Sequence, residues 1–153
     1  MTNQIIRHID GHALYECEAG SLREAVEQAV REEVSLEGAN LMGADLRWAD
    51  LVGARLGWAD LVGARLVGAY LGGARLGGAD LGGAHLGGAH LVDAGQNSRG
   101  YRFVGVPTDG LRIAAGCRWF TLNEALAHWA NNAEALAKVE LIAAEAKRRG
   151  WIS

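Results

Sequence analysis

The sequence predicts a mainly β protein in which the middle of the chain coils around a leucine core and other segments close the two ends. A leucine stands at every fifth position from Leu36 to Leu91, and an alanine stands two residues before each leucine after the first. A period of five matches neither the helix, at about 3.6 residues per turn, nor the alternation of a strand. The flanking segments lack the period altogether. The backbone must therefore turn at every fifth residue of the middle segment.

A coil with four sides of five residues satisfies this period, because each side then directs one leucine and one alanine inward. Successive coils would stack at the parallel-strand spacing of about 4.8 Å, which places Leu36, Leu56 and Leu76 in one internal column. The small alanine leaves room near the axis, where a second large side chain on each side would overpack the core. We therefore predict about three coils over residues 35–94.

The run ANLMGADLRWADLVGARL, which begins at Ala39, resembles the A(D/N)LxG signature of pentapeptide repeat proteins. The resemblance covers residues 35–94 and implies a right-handed quadrilateral β-helix. The end segments resemble the hairpin and helix caps of small phage-type members of that family. The chain departs from the signature in two ways, since Arg, His or Tyr often precedes the leucine and glycine is frequent at the two positions after it.

Residues 1–34 predict an N-terminal hairpin-helix cap, because an uncovered end of the stack would expose unpaired backbone groups. The sequence QIIRHIDGHALYECEA reads as two strands joined by Asp10-Gly11, a dipeptide favoured in tight hairpins. The sequence SLRE, which begins at Ser21, has the pattern of a capping box and predicts a helix through Val34.

Residues 95–153 predict a C-terminal cap made of a hairpin and two helices. The sequence GYRFVGVPTDGLRIAAGCRWF reads as a hairpin that turns near Asp109-Gly110. The sequence TLNE, from Thr121, repeats the capping-box pattern, and Asn132 begins a last helix. That helix has an apolar stripe, formed by Leu136, Val139, Ile142, Ala143 and Ala146. Because symmetric dimers dominate among soluble oligomers, the stripe predicts a homodimer through the C-terminal helix.

Composition limits the classes of function. The net charge is −3, and no segment is basic enough to favour direct nucleic-acid binding. No apolar run approaches the roughly 20 residues that cross a bilayer, so we expect no membrane association. Cys17 and Cys117 have neither metal-site nor redox-motif spacing, which is typical of reduced thiols in the cytoplasm.

Two histidines and two aspartates are the obvious candidates for metal binding or catalysis. His85 and His90 each precede a leucine on neighbouring sides of one coil, so they point outward at about a right angle and do not share a metal. Asp60 and Asp80 stack in one outward column, about 5 Å apart, without a base, nucleophile or third ligand beside them. We interpret them as a surface ladder that attracts the neighbouring arginine column. The sequence therefore predicts no enzyme, no catalytic residue, no cofactor and no metal centre.

Two tryptophans are the strongest candidates for binding a partner. Trp48 and Trp58 replace glycine at the second position after leucine, where a large ring projects at or near a corner. Each indole either lies flat over a glycine of the next coil, or under a cap, or belongs to a protein-binding patch, since aromatic residues are enriched at interfaces. The candidate interaction residues are Trp48, Trp58, Tyr70, Arg55 and Arg75.

These observations predict a non-catalytic structural or protein-interaction module with an unidentified protein partner. The resemblance implies an alternative, because some pentapeptide repeat proteins mimic DNA and bind DNA gyrase or a related topoisomerase. That function needs a long acidic rod. This chain predicts a stack of only about 14 Å, from the strand spacing, and carries four outward arginines.

Overall fold

The computed structural model describes residues 1–108 and 110–153, so the predicted turn residue Asp109 lies outside the described residues. The described chain forms three helices and two antiparallel sheets. In chain order the elements are β1 (Thr2–Arg7), β2 (Ala13–Ala19), α1 (Leu22–Arg31), β3 (Val92–Gln96), β4 (Arg102–Thr108), β5 (Gly110–Ala115), β6 (Arg118–Thr121), α2 (Leu122–His128) and α3 (Ala133–Arg148).

The repeats between α1 and β3 form a ladder of parallel bridges between positions that lie four pentapeptides apart. Asn40 pairs with Asp60, and Asp60 pairs with Asp80. The amide of Leu36 likewise donates to the carbonyl of Arg55 at 3.0 Å. Each group of four pentapeptides therefore stacks on the next, which gives a β-helix kind of fold. The right-handed course and the quadrilateral section stay predictions.

The repeated leucines and alanines fill the interior, as the period predicts. The leucines from Leu36 to Leu76 expose at most 2% of their surface, and the alanines from Ala39 to Ala74 are also buried. Burial of one leucine side chain contributes about 1.5–3 kcal/mol, so this column arrangement is the main source of stability in the array. Burial weakens toward the last coil, where Leu86 is only partly buried.

The predicted N-terminal hairpin is confirmed. Strands β1 and β2 pair antiparallel, and Gly11 has a φ of +100° in the turn between them. The hairpin also bonds to the first coil, because the amide of Asn40 donates to the carbonyl of Arg7 at 2.7 Å. The hairpin thus supplies hydrogen-bond partners that a preceding coil would otherwise provide.

Helix α1 is shorter than the sequence predicts and its capping box is incomplete. It ends at Arg31 rather than Val34, because Glu33 adopts a left-handed backbone with a φ of +58°. The Ser21 hydroxyl accepts from the Glu24 amide at 3.2 Å, as expected. The Glu24 carboxylate, however, accepts from the amide of Gly20 at 2.7 Å and not from that of Ser21. The complete capping box is found at α2, between Thr121 and Glu124.

The C-terminal segment contains a four-stranded antiparallel sheet in the order β3-β4-β5-β6, where the sequence predicts a single hairpin. The pairing of β4 with β5 confirms that hairpin. Strand β3 is not predicted because Val92 and Ala94 continue the spacing of the repeats. Strand β6 is only four residues long and leads directly into α2, so it has no independent alternation to recognise.

Helix α3 packs its apolar stripe against this sheet. Val139, Ile142 and Ala146 are buried in one cluster with Phe103 and Ile113. The stripe that predicted a two-fold interface is therefore occupied within the chain, because the unforeseen sheet needs the same apolar cover. Homodimerisation stays a prediction, and it needs another surface of the helix.

The C-terminal sheet bonds to only part of the last coil. The carbonyls of Pro107 and Gly116 accept from the amides of Gly73 and Gly78 at 2.6 and 2.7 Å. No backbone carbonyl among residues 1–108 and 110–153 accepts from the amides of the corresponding Gly83 and Gly88. Two sides of the stack are therefore closed more completely than the others at this end.

Candidate functional site

The position two residues after each leucine from Leu36 to Leu86 has a left-handed backbone. Glycine occupies it in most repeats, with φ between +63° and +75°. Trp48 and Trp58 adopt the same conformation, with φ of +61° and +59°. The left-handed conformation costs an L-residue about 1–2 kcal/mol, and strain of this kind clusters at functional sites. The two tryptophans thus carry a large side chain at a left-handed position that glycine occupies in the other repeats from Leu36 to Leu86.

Each tryptophan ring rests on a glycine of the next coil. The indoles of Trp48 and Trp58 lie over Gly68 and Gly78, where an added Cβ would overlap the ring. The side of each ring away from its glycine remains open, since the tryptophans are 63% and 61% exposed. The predicted contact with glycine is therefore present, and it leaves a large apolar surface in water.

The two tryptophans do not form one patch. They lie two pentapeptides apart, whereas bridged positions such as Asp50 and Tyr70 lie four pentapeptides apart, which is one complete coil. Trp48 and Trp58 are thus separated by half a coil and project from opposite sides of the array. A single flat surface does not contact both.

Trp48 borders a shallow depression between the array and the start of α1. Ser21 and Arg23 line one side of it, and Asp45 and Arg47 line the other. The Arg23 guanidinium donates to the carbonyl of Arg47 at 3.1 Å. Hydrogen bonding to Arg47 lowers the pKa of Asp45 to about 2, so the carboxylate beside the indole is ionised at neutral pH. The tryptophan is therefore framed by fixed charges of both signs.

Trp58 lies close to the C-terminal sheet. The glycine beneath its ring, Gly78, donates its amide to Gly116 in the turn between β5 and β6. The adjacent Gly77 faces Trp119 of β6. The position of Trp58 is thus fixed by the cap as well as by the array.

Arg55 and Arg75 stack in one column through a parallel bridge. Arg55 also donates to the carbonyl of Glu33 at 3.2 Å, at the end of α1. Val52 is 56% exposed and lies between two shallow depressions, one lined by Arg55 and the other by Arg75 and Arg112. This side of the array therefore places several cationic side chains around the exposed apolar side chain of Val52.

Tyr70 lies on the side of the array next to the arginine column. It pairs with Asp50 through a parallel bridge, and its ring meets the edge of His90 at a centroid distance of 4.8 Å. Tyr70 is 43% exposed. Of the five predicted interaction residues, Arg55 and Arg75 therefore share one column, whereas Tyr70 follows by two residues the Gly68 on which Trp48 rests.

The interpretation of Asp60 and Asp80 as partners of the arginine column is wrong for the described residues, which contain no ion pair between the two columns. The carboxylates instead accept from the backbone amides two residues later, at Val62 and Gly82, at 3.0 and 2.9 Å. A short carboxylate that follows a buried alanine closes its own turn in this way. Sequence reasoning considered the columns and overlooked this local bond.

One cluster of metal-ligating side chains lies outside the sites considered from the sequence. Ligand atoms of His8, Asp10 and His12 lie within 4.8 Å of one another at the turn of the N-terminal hairpin. The three residues stand at every second position around the Asp10-Gly11 turn, a pattern that the sequence shows. Only the histidines of the repeats were considered from the sequence. His85 and His90 are exposed, as predicted.

The coil stack, its buried leucines and its varied outer positions define a repeat protein whose surface residues change while the core stays constant. Residues 39–78 match the family model of pentapeptide repeats in eight copies, so this segment of the chain consists of pentapeptide repeats. No curated protein and no solved structure matches the chain.

The helices of the described residues include none that combines the length and the apolar character needed to cross a membrane.

Proposed function

We propose that the chain is a non-catalytic protein-interaction module that presents Trp48 and Trp58 on opposite sides of a short repeat array. Pentapeptide repeats suggest an interaction or structural role. The observation that carries the proposal is the pair of exposed indoles at left-handed positions that glycine fills elsewhere. Large exposed apolar groups with a polar surround are typical of protein-binding surfaces.

The proposed scaffold is a right-handed quadrilateral β-helix with four sides of five residues. Bridged positions lie four pentapeptides apart, which supports four sides, and the family resemblance implies the hand. Such a scaffold turns at fixed intervals, so it holds outward side chains at set angles. Two separate contact surfaces suit a protein that binds two partners, or one partner that wraps around it.

We infer a cytoplasmic location from the cysteines. Cys17 and Cys117 are free thiols, and Cys117 is exposed. Exposed free thiols persist in reducing compartments.

Affinity capture with matched variants tests the proposal. Immobilised wild-type chain is compared with Trp48→Gly and Trp58→Gly, which restore the residue found in the other repeats. Met42→Ala is the control, because Met42 is 60% exposed but has no left-handed backbone. We expect a partner that the control retains and that at least one glycine variant loses. Equal capture by all four chains would contradict the proposal.

The alternative function, inhibition of DNA gyrase or a related topoisomerase, is tested by a supercoiling assay. The outward positions of the array mix signs, with Asp45 beside Arg47 and an arginine column at Arg55 and Arg75. A mixed surface resembles the phosphate backbone of DNA poorly. Inhibition that survives both tryptophan substitutions and is lost on Asp50→Lys would support DNA mimicry.

The homodimer is tested through the exposed part of the last helix. Leu141 is 51% exposed and borders a depression with Val92 and Ala144. If the dimer forms, Leu141→Glu should shift the chain to a monomer in sedimentation at high concentration. If the wild-type chain itself sediments as a monomer at high concentration, the predicted homodimer is contradicted.

A further inference from the structure

The turn of the N-terminal hairpin directs three electron-pair donors toward one point. The Asp10 Oδ1 atom lies 2.5 Å from Nδ1 of His12 and 3.1 Å from Nδ1 of His8. The two imidazole rings are nearly parallel, with an interplanar angle of 14° and a centroid distance of 4.7 Å. The carboxylate thus lies between the corresponding nitrogens of two stacked rings.

The backbone of the turn fixes this arrangement. The amide of His8 donates to the carbonyl of His12, and the amide of Gly11 donates to the carbonyl of His8, both at 2.8 Å. The φ of +100° at Gly11 allows the chain to reverse there, which an L-residue would adopt only with strain. His8 and His12 are therefore held opposite each other, with Asp10 at the tip between them.

His8 is also anchored to the array. Its ring lies over Gly38, and Nε2 is the ring atom nearest to the place where a Cβ at Gly38 would be. The amide of the next residue, Ile9, donates to the carbonyl of Gly38 at 2.8 Å. Nε2 of His8 therefore faces the first coil, and Nδ1 is the nitrogen that faces the turn.

The charge distribution at the turn favours a cation. Nδ1 of His8 accepts from the amide of Asp10 at 3.2 Å, so in the neutral ring this nitrogen carries a lone pair and no proton. Nδ1 of His8 and Oδ1 of Asp10 are thus two electron-pair donors 3.1 Å apart, a separation that a shared cation would bridge.

We propose that His8, Asp10 and His12 bind a divalent transition-metal ion of the zinc class. Two imidazole nitrogens and one carboxylate oxygen suit Zn²⁺, Co²⁺ or Ni²⁺, and water completes the coordination. Ca²⁺ fits poorly because it takes six to eight oxygen ligands. Zinc–ligand distances of about 2.0–2.2 Å require the ion to lie where the carboxylate now approaches the rings. The exposed Asp10 side chain would have to give up its 2.5 Å contact with Nδ1 of His12 to admit the ion.

The bound ion would stabilise the N-terminal hairpin and its attachment to the array. It would link both ends of the turn, and through His8 it would hold the turn against the first coil at Gly38. A ligand that binds only the folded state stabilises it. Metal binding should therefore raise the melting temperature of the whole chain.

The test is a titration of the full chain with Zn²⁺ by calorimetry and with Co²⁺ by absorption spectroscopy. We expect one ion per chain, nitrogen and oxygen ligation in the Co²⁺ spectrum, and a higher melting temperature with Zn²⁺. His12→Ala and Asp10→Asn should each weaken binding by at least about tenfold, since even outer partners of metal ligands contribute that much. Both side chains are more than half exposed, so circular dichroism should show an unchanged fold.

Three controls make the result specific. His85→Ala and His90→Ala remove histidines of the array, and Cys17→Ser removes a thiol on β2; each should bind Zn²⁺ as the wild type does. Absence of binding, equal weakening by His85→Ala or His90→Ala, or Co²⁺–thiolate absorption that Cys17→Ser abolishes would each overturn the proposal.

Discussion

The residue that follows each repeated leucine by two positions determines where the array can carry a large side chain. Glycine reaches the left-handed conformation at no steric cost, whereas an L-residue there costs about 1–2 kcal/mol. Trp48 and Trp58 recover part of that cost by packing on Gly68 and Gly78. The sequence could predict that the glycines are replaced, but the sign of φ at the tryptophans depends on the turn that the coil imposes.

The strain at Trp58 is measurable by comparing two substitutions that both remove the ring. We expect Trp58→Gly to be more stable than Trp58→Ala by about 1 kcal/mol in urea unfolding, because only glycine relieves the left-handed backbone. The control is Met42, which has no positive φ. There the order should reverse, with Met42→Gly less stable than Met42→Ala by about 0.5–1 kcal/mol. Equal stability of the two Trp58 variants would show that the turn is not strained.

A second prediction concerns Asp45, whose pKa falls to about 2 because Arg47 donates hydrogen bonds to it. A carboxyl with a lowered pKa in the folded state stabilises the fold above its unfolded pKa of about 3.9 and loses that contribution as the pH falls toward 2. We therefore expect the wild type to melt above Asp45→Asn at pH 6, with the difference shrinking between about pH 4 and pH 2. Thermal unfolding across that range measures it. A difference that does not change with pH would contradict the ion pair.

In the N- and C-terminal segments, secondary structure was predicted correctly where a motif of a few neighbouring residues defines it. The Asp10-Gly11 turn and the Thr121 cap each depend on a few neighbouring residues, and both are present. Strands β3 and β6 were not predicted, because β3 continues the spacing of the repeats and β6 is only four residues long. The burial of the α3 stripe follows from the same sheet, so it could not be inferred while the sheet was unknown.

The contact between this sheet and α3 predicts a specific overpacking. A Cβ added to Gly105 of β4 would overlap Cγ2 of Ile142 in α3. That methyl is attached at a stiff, β-branched position, so Gly105→Ala should destabilise the chain by about 1–3 kcal/mol. Ile142→Leu moves the branch away from the sheet, and the double variant should lose less than the sum of the two single changes.

Chemical denaturation of the two single variants and the double variant measures the coupling. Gly87→Ala is the control, because a Cβ at Gly87 meets no atom within 4 Å. It should leave stability almost unchanged. Strict additivity at Gly105 and Ile142 would mean that α3 and β4 are not packed as closely as the structure shows.

Across the whole molecule, the sequence predicted the stack best because one rule repeats along it. The inward leucines and alanines, the stacking of every fourth pentapeptide and the outward histidines all follow from the period of five. The candidate interaction residues were less accessible to sequence reasoning. Their grouping requires the angle between sides, which places Trp48 opposite Trp58, and the metal-ligating turn lies in a segment that has no repeat.

The unequal closure of the stack predicts a gradient of stability along one core column. Leu66 is 1% exposed beneath another coil, whereas Leu86, which follows it in the column, is only partly buried at the end that the C-terminal sheet covers incompletely. Leu66→Ala should cost about 2–5 kcal/mol, and Leu86→Ala about 1 kcal/mol, because a side chain with less surrounding structure leaves a smaller cavity. Urea unfolding of the two variants gives these values.

Hydrogen exchange provides an independent check, since the amides of Gly83 and Gly88 should exchange faster than that of Gly63, which donates to the carbonyl of Gly82. Equal losses at the two leucines would mean that the last coil is covered as fully as the middle one.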